Sequence, residues 1–278
     1  MPTLFVVATP IGNLEEITLR ALRVLKEVTL IAAEDTRTTR KLLAHYHITT
    51  PVTSLFEHNE RRKTPFLLQR LTEGDVALVS EAGMPGISDP GQELVSAAIQ
   101  HGIPVVPISG PSAITTALAI SGLPTDRFLY LGFLPRRRSE RRRLLAELTP
   151  LPYTLVAFEA PHRLQASLQD MVNIWGDNRS IAVCRELTKL HEEIFRGSVA
   201  EALAHFSQPR GEFTLIIQGN RAPCGEETEK SVAQTLQEMQ QAGLSFREVE
   251  AHLSDKKLPR RTLYRLWLQM KQTKPGAK

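Results

Sequence analysis

Two turns rich in Gly and Pro constrain this chain more than any other feature. Ala8-Thr-Pro-Ile-Gly-Asn-Leu14 closes a short apolar run at the N-terminus, and Val79-Ser-Glu-Ala-Gly-Met-Pro-Gly-Ile-Ser-Asp-Pro-Gly91 closes a second one. Each reads as a strand that stops at a loop and passes into a helix. Loops of this kind expose backbone N–H and C=O groups at the carboxyl end of a sheet, where open α/β folds place their ligands. The pair implies a small cofactor held by main-chain atoms.

The surrounding pattern agrees. Apolar runs predict strands over residues 4–8, 30–33, 76–80 and 105–108, and helical spacing predicts helices over 19–28, 38–45 and 93–100. Alternation of this kind reads as βαβ units with a parallel sheet buried on both faces. After Gly122-Leu-Pro-Thr-Asp126 the pattern restarts, with strands expected over 128–134, 154–158, 181–184, 193–196 and 213–218. More strands and fewer helices there suggest a mixed sheet. Residues 219–227 are polar and turn-forming and read as a linker, followed by helices over 231–241, 246–253 and 262–270. The expected class is α/β: two α/β domains (1–122, parallel-rich, and 123–222, mixed), a small helical module (228–272) and a tail (273–278).

Composition excludes several classes. The chain has 278 residues and 42% hydrophobic content, normal for packed cores, and no apolar run reaches the 18 residues of a membrane span. The opening run lacks a basic flank and does not read as a signal peptide. Cys184 and Cys224 form no CxxC pattern, which argues against disulfides or zinc and fits a reducing cytoplasm. His45, His47, His101, His191, His205 and His252 show no ligand spacing, so no metal is expected. There is no GxSxG, P-loop lysine or GxGxxG for hydrolase, ATPase or NAD chemistry.

Charge is uneven within the formal net of +4: residues 1–127 hold 11 Lys/Arg against 13 Asp/Glu, 128–224 hold 13 against 10, and 225–278 hold 10 against 7. The later basic bias hints at a polyanionic partner. Arg136-Arg-Arg-Ser-Glu-Arg-Arg-Arg143 concentrates it, with Arg136, Arg137, Arg138, Arg141, Arg142 and Arg143 as candidate phosphate contacts. The plainer reading is a solvated loop.

Seven stretches, Thr9-Pro-Ile-Gly-Asn-Leu, Ala33-Glu-Asp-Thr-Arg37, Glu57-His-Asn-Glu60, Ser80-Glu-Ala-Gly-Met-Pro-Gly-Ile-Ser-Asp-Pro-Gly91, Gly110-Pro-Ser, Arg185-Glu-Leu-Thr-Lys189 and Gly211-Glu-Phe, carry a resemblance. In this order, over about residues 4–270, they resemble the ribosomal RNA small subunit methyltransferase I family, a branch of the tetrapyrrole (corrin/porphyrin) methylases. The resemblance implies a two-domain homodimer that uses S-adenosylmethionine, bound in the cleft between its domains. It further implies 2′-O-methylation of a cytidine, nucleotide 1402 of 16S rRNA, in the small ribosomal subunit. The superfamily pattern puts cofactor contacts at Pro10, at Ala82, Gly83, Met84, Pro85 and Ile87, at Ser112 and Ala113, and at Glu159, Leu187 and Phe213. Met84 stands where many tetrapyrrole methylases carry Asp, so only a backbone contact survives there.

For the chemistry, the charged groups of these motifs are Asp35 and Arg37, His58 to Glu60, Glu159 with His162 and Arg163, and Arg185, Glu186 and Lys189. The expectation is that Glu159 and Lys189 flank the ribose as catalytic groups while Arg37 and Arg185 hold its phosphates. Lys189 could act as a base only if burial or nearby cations lower its pKa. The plainer readings are an Asp35 N-cap and an Arg185–Glu186 ion pair. The tail helices resemble a helix-turn-helix in which Arg260, Arg261 and Arg265 face RNA while Leu263, Leu266 and Trp267 pack inward. Two rival readings are a methylase of a porphyrinoid on the same scaffold and a nucleic-acid-binding regulator without catalysis.

Overall fold

The computed structural model describes residues 2–220 and the single position Trp267. Apart from Trp267, which is helical and buried, the expected helical module, with Arg260, Arg261 and Arg265, lies outside the described residues. Residues 1–220 form one compact unit built on two five-stranded sheets.

The first sheet is parallel and runs β3-β2-β4-β1-β5, from β1 (Leu4–Val7), β2 (Leu30–Ala33), β3 (Val52–Ser54), β4 (Val76–Val79) and β5 (Val105–Ile108). Its connections are α1 (Leu19–Glu27), α2 (Thr36–His45), α3 (Glu60–Glu73) and α4 (Gln92–Gln100). Side chains alternate between two buried faces. Ile31, Ala33, Ala77 and Val79 pack with Ala21, Val24 and Leu43 of α1 and α2. Leu30, Ala32, Val76 and Leu78 pack with Leu67, Leu71 and Leu94 of α3 and α4. A sheet sandwiched in this way needs apolar residues at every strand position, which is why the runs are continuous rather than alternating.

The second sheet is mixed, in the order β6-β7-β10-β8-β9: β6 (Phe128–Phe133), β7 (Thr154–Glu159), β8 (Ser180–Arg185), β9 (Glu193–Ser198) and β10 (Phe213–Ile217). Only β6 and β7 pair in parallel. This half holds more helix than its sequence suggests. α6 (Arg138–Leu148), α7 (Pro161–Trp175) and α8 (Val199–His205) cover one face, where Leu145, Leu164, Met171 and Ala202 meet Leu155, Val183 and Leu215. α7 starts with Pro161 in its first turn, a position where the missing N–H costs nothing.

The other face is covered by α5 (Ala113–Ser121), whose Ala117 and Leu118 pack on Val156, Ala182 and Ile216. This helix belongs by sequence to the first half and by packing to the second. Among the described residues no helix is long and apolar enough to cross a membrane.

The arginine run is likewise not a loop. Arg141 is buried, with 4% side-chain exposure, and its Nε and Nη2 donate to Asp170 Oδ2 at 3.0 and 2.6 Å, while Arg138 Nε reaches Oδ1 at 3.2 Å. Asp170, on α7, is itself 1% exposed. Arg141 is therefore a fastener between α6 and α7 and is withdrawn from the phosphate-binding set. Arg136, Arg137, Arg142 and Arg143 are exposed.

Candidate active site

The carboxyl ends of β1 and β4 lie side by side, and the two loops they feed are tied together. Thr9 N donates to Gly83 O at 2.9 Å and Gly83 N to Thr9 O at 3.0 Å. Gly83 (φ +77°) and Gly86 (φ +80°) adopt left-handed backbone, which glycine tolerates without strain. Ser88 does so as a non-glycine (φ 66°) and shares a 2.7 Å hydroxyl hydrogen bond with Tyr130 of β6. The β4 loop thereby reaches across to the second sheet.

A second bridge closes the opposite side. Glu186 (φ 49°) and Thr188 (φ 66°) hold a loop after β8 in left-handed geometry, and that loop presses on Gly12. A Cβ at Gly12 would stand 2.4 Å from Lys189 Cγ, 2.8 Å from Thr188 Oγ1 and 2.9 Å from the Leu187 carbonyl oxygen. The lysine stem can swing away, but the carbonyl cannot move without its loop. Gly12→Ala is therefore expected to push the two loops apart and cost about 1–3 kcal/mol of stability. Thermal denaturation measures it, and an unchanged midpoint would show that the contact is slack.

Between the bridges lies a cavity of about 600 Å³, within the range of small-molecule sites. Pro10, Ala82, Gly83, Met84 and Ile87 line it from the first two loops, and Ser112 and Ala113 from the start of α5. Leu187, Phe213 and Glu159 line it from the second sheet. Pro85 is not among the lining residues. Small residues occupy one wall, and Ile11, Phe133 and Phe158 add apolar surface.

The ionisable groups fall out differently from the sequence expectation. Glu159 lines the cavity, yet its carboxylate is fully engaged and it is 1% exposed. Oε1 accepts from Ala160 N at 2.9 Å and faces Arg163 Nε at 3.0 Å, and Oε2 accepts from Ser167 Oγ at 2.5 Å and Arg163 Nη2 at 3.3 Å. A carboxylate with its lone pairs so occupied is a structural anchor for the start of α7, not a free proton acceptor. Lys189 Nζ lies 3.0 Å from Glu186 and 2.9 Å from Glu212. Partial burial pulls its pKa down, but the hydrogen bonds and charges of those two carboxylates outweigh it, and the net shift is upward. The condition for Lys189 as a base is thus reversed.

The two arginines part company. Arg185 is tied to the Arg210 carbonyl at 2.7 Å and to Glu193 at 3.1 Å, and it pairs with Glu193 rather than Glu186. Neither it nor Arg37 lines the cavity. Arg37 is 86% exposed beside Asp35. Asp35 caps α2, accepting from Arg37 N and Thr38 N at 2.7 and 3.3 Å.

Three acids that the sequence reading left aside are grouped in this cavity: Glu34, Glu81 and Asp89. No ion pair to any of them occurs among the described residues. Burial, reinforced by repulsion from Glu34 and Glu81 and countered by a hydrogen bond from Ser80, raises Asp89 to about 7. Burial likewise raises Glu34, against a hydrogen bond from Glu81 N. Burial raises the nearby Tyr130 hydroxyl too, with Asp89 adding to the effect against the Ser88 hydrogen bond. Cys184 also lines the cavity, but burial pushes its thiol up to about 11, so it stays protonated and is no nucleophile. The signal for Asp89 was present in the sequence, as an acid inside a Gly/Pro loop at a strand end.

The arrangement can hold a cationic small molecule against main-chain atoms and offer one poised carboxylate. No cluster of three or more His, Cys, Asp or Glu suited to a metal ion occurs among the described residues.

Residues 3–203 match the family model of Tetrapyrrole (Corrin/Porphyrin) Methylases. The chain is 48% identical over 279 residues to Ribosomal RNA small subunit methyltransferase I of Halalkalibacterium halodurans, covering 96% of this chain and 95% of that one. It is 50% identical over 222 residues to the protein of the same name from Thermotoga maritima, covering 79% of this chain and 99% of that one. Among solved structures, the fold resembles uroporphyrin-III C-methyltransferase from Thermus thermophilus complexed with S-adenosylhomocysteine (20% identity, TM-score 0.55, covering 78% of this chain and 97% of that one). It also resembles the cobalt precorrin-4 methyltransferase (16% identity, TM-score 0.58, 78% and 94%). With its matched residues spanning both sheets and the cavity between the bridging loops, this chain belongs to the tetrapyrrole (corrin/porphyrin) methylases, a family of S-adenosylmethionine-dependent methyltransferases.

Proposed function

We propose that this methylase acts on 16S rRNA of the small ribosomal subunit, methylating the ribose 2′-hydroxyl of a cytidine, nucleotide 1402 in rRNA numbering. The reading includes a homodimer acting in the cytoplasm. Its main support is the relatives that carry an rRNA methyltransferase name at 41–50% identity, together with one structural observation: Glu34, Glu81 and Asp89 line one cavity, with no ion pair to any of them among the described residues.

The cavity suits S-adenosylmethionine. The small side chains of Ala82, Ser112 and Ala113 leave room for an adenine edge, while Met84 and Ile87 offer apolar surface. Glu34 and Glu81 complement a sulfonium and an ammonium group. When bound, the cofactor supplies an electrophilic methyl on sulfur and departs as a neutral thioether.

Asp89 is assigned as the proton acceptor. A hydroxyl oxygen gains the methyl and loses its proton, and a carboxylate that is half ionised near pH 7 is matched to that transfer. Glu159 and Arg163 hold the start of α7 in place, and the Lys189–Glu186–Glu212 network fixes the loop that faces Gly12. Arg37 and the exposed arginines Arg136, Arg137, Arg142 and Arg143 are assigned to phosphates, and so are Arg260, Arg261 and Arg265 of the C-terminal region.

Incubating the purified protein with small subunits lacking the modification and methyl-labelled S-adenosylmethionine, then mapping the labelled nucleoside, tests the reading. Label in 2′-O-methylcytidine at one position is the expected result. Label on a base, on protein only, or on an added porphyrinoid but not on RNA would overturn it.

A further inference from the structure

We infer that the loop between β3 and α3 is a stacking platform for a single-stranded segment of the substrate RNA, with Phe56 taking a base face and Arg61 and Arg62 the adjoining phosphates. The inference rests on the proposed RNA substrate and adds where the strand is gripped.

The loop is closed by its own hydrogen bonds, and its exposed groups are not spent on the fold. Phe56 N donates to Asn59 Oδ1 at 2.9 Å, and Asn59 N and Glu60 N return to Phe56 O at 2.9 and 3.0 Å. Asn59 and Glu60 are buried, yet the Phe56 side chain they pin is 42% exposed. No other ring packs on it among the described residues. Arg61 and Arg62 follow on the first turn of α3, both exposed and without an ion pair among the described residues. An open aromatic face flanked by free cations is the composition of a single-strand binding surface: any base can stack on the ring, and the cations track the backbone.

Position links this surface to the cavity. Leu55 N donates to Ala33 O at 2.7 Å, next to Glu34 in the acid corner. Glu60 Oε1 accepts from the backbone N–H of Gly91, Glu93 and Leu94 at 2.9, 3.0 and 3.3 Å, so the start of α3 is fastened to the loop that carries Asp89. The cavity lining is rich in acids and repels phosphate, whereas the exposed cations Arg37, Arg61 and Arg62 lie outside that lining, on α2 and α3. A strand could therefore leave its phosphates on this rim while one sugar reaches the carboxylate. Stacking on Phe56 needs an unstacked base, which selects single-stranded over duplex RNA.

The test titrates the full-length protein into a fluorescently labelled single-stranded RNA oligonucleotide of about ten nucleotides, within the footprint of known single-strand sites, at several salt concentrations. Phe56→Ala is expected to weaken binding about 5–100-fold without changing the salt slope, and Phe56→Tyr to retain it. The double variant Arg61→Gln/Arg62→Gln, at exposed positions that folding does not need, is expected to flatten the slope of log K against log salt by about 1.4. Binding by Phe56→Ala equal to wild type, an unaltered slope in the arginine pair, or no binding by the wild type would overturn the platform. Methyl transfer to small subunits, measured in parallel, separates the two ideas. Transfer with unaffected variants removes only the platform, and loss of binding in the variants with no RNA methylated by the wild type removes only the proposed reaction.

Discussion

Asp89→Asn is expected to lower the methyl-transfer rate by about 10²–10⁴-fold, the usual worth of a positioned base, while leaving cofactor binding largely intact. Asn keeps the size and the capacity to bond Ser80 but cannot accept the proton. In the wild type the rate should rise with pH through about 7, where Asp89 ionises, and level off above it. The variant should lose that rise. Stability moves oppositely. The folded protein holds this proton up to about pH 7, whereas an unperturbed Asp releases it at 3.8. The stability tied to the protonated form is thus complete below about 3.8 and lost as pH climbs through about 7. Asp89→Asn should accordingly melt higher than wild type at pH 8 and no higher at pH 3.5. A variant with wild-type turnover would remove Asp89 from the mechanism, and equal melting at both pH values would show that its burial costs nothing.

Arg141→Ala should destabilise the protein by about 3–5 kcal/mol, because Asp170 would be left as a buried charge missing its main partner. For a unit of this size that corresponds to a fall in melting midpoint of roughly 6–20 °C. Arg138, which also reaches Asp170, sets the lower end of the range. Arg137→Ala, at an exposed neighbour, should change stability by no more than about 0.5 kcal/mol. If Arg141→Ala melts like wild type, the α6–α7 fastener is not structural. Removing both charges together, as Arg141→Met/Asp170→Leu, should recover much of the loss, since an apolar pair of similar volume avoids the desolvation of both ions.

These two residues show what could be read along the chain. Strand positions in the first sheet follow from apolar runs because that sheet is buried on both faces. The loops after β1 and β4 are legible from Gly and Pro, which mark backbone that other residues adopt poorly. Arg141 was not legible: it sits among six arginines of identical chemistry, and only its alignment with Asp170, 29 residues later, separates it from its exposed neighbours. α3 and α7 show a related ambiguity. Each carries a Pro within or at the start of a helical stretch, and a Pro marks a helix start or a break only once its partners are in place.

Catalytic roles were the least legible. Glu159 and Lys189 stand in the cavity as motif spacing suggests, but the charges around them decide what they can do. Four nearby donor contacts immobilise the glutamate, and two carboxylates raise the lysine. Asp89 is the reverse case, an acid in a turn that reads as a loop former until Glu34 and Glu81 are brought beside it.

What the sequence by itself determined is the layered α/β scaffold and the two loops that line the cavity, because apolar periodicity and Gly/Pro backbone freedom are local properties. What only the tertiary structure decided is which ionisable groups are paired and which are left open. Burial and Coulomb interaction depend on distance in space, and residues 34, 81 and 89, or 141 and 170, become neighbours only when the strands and helices pack.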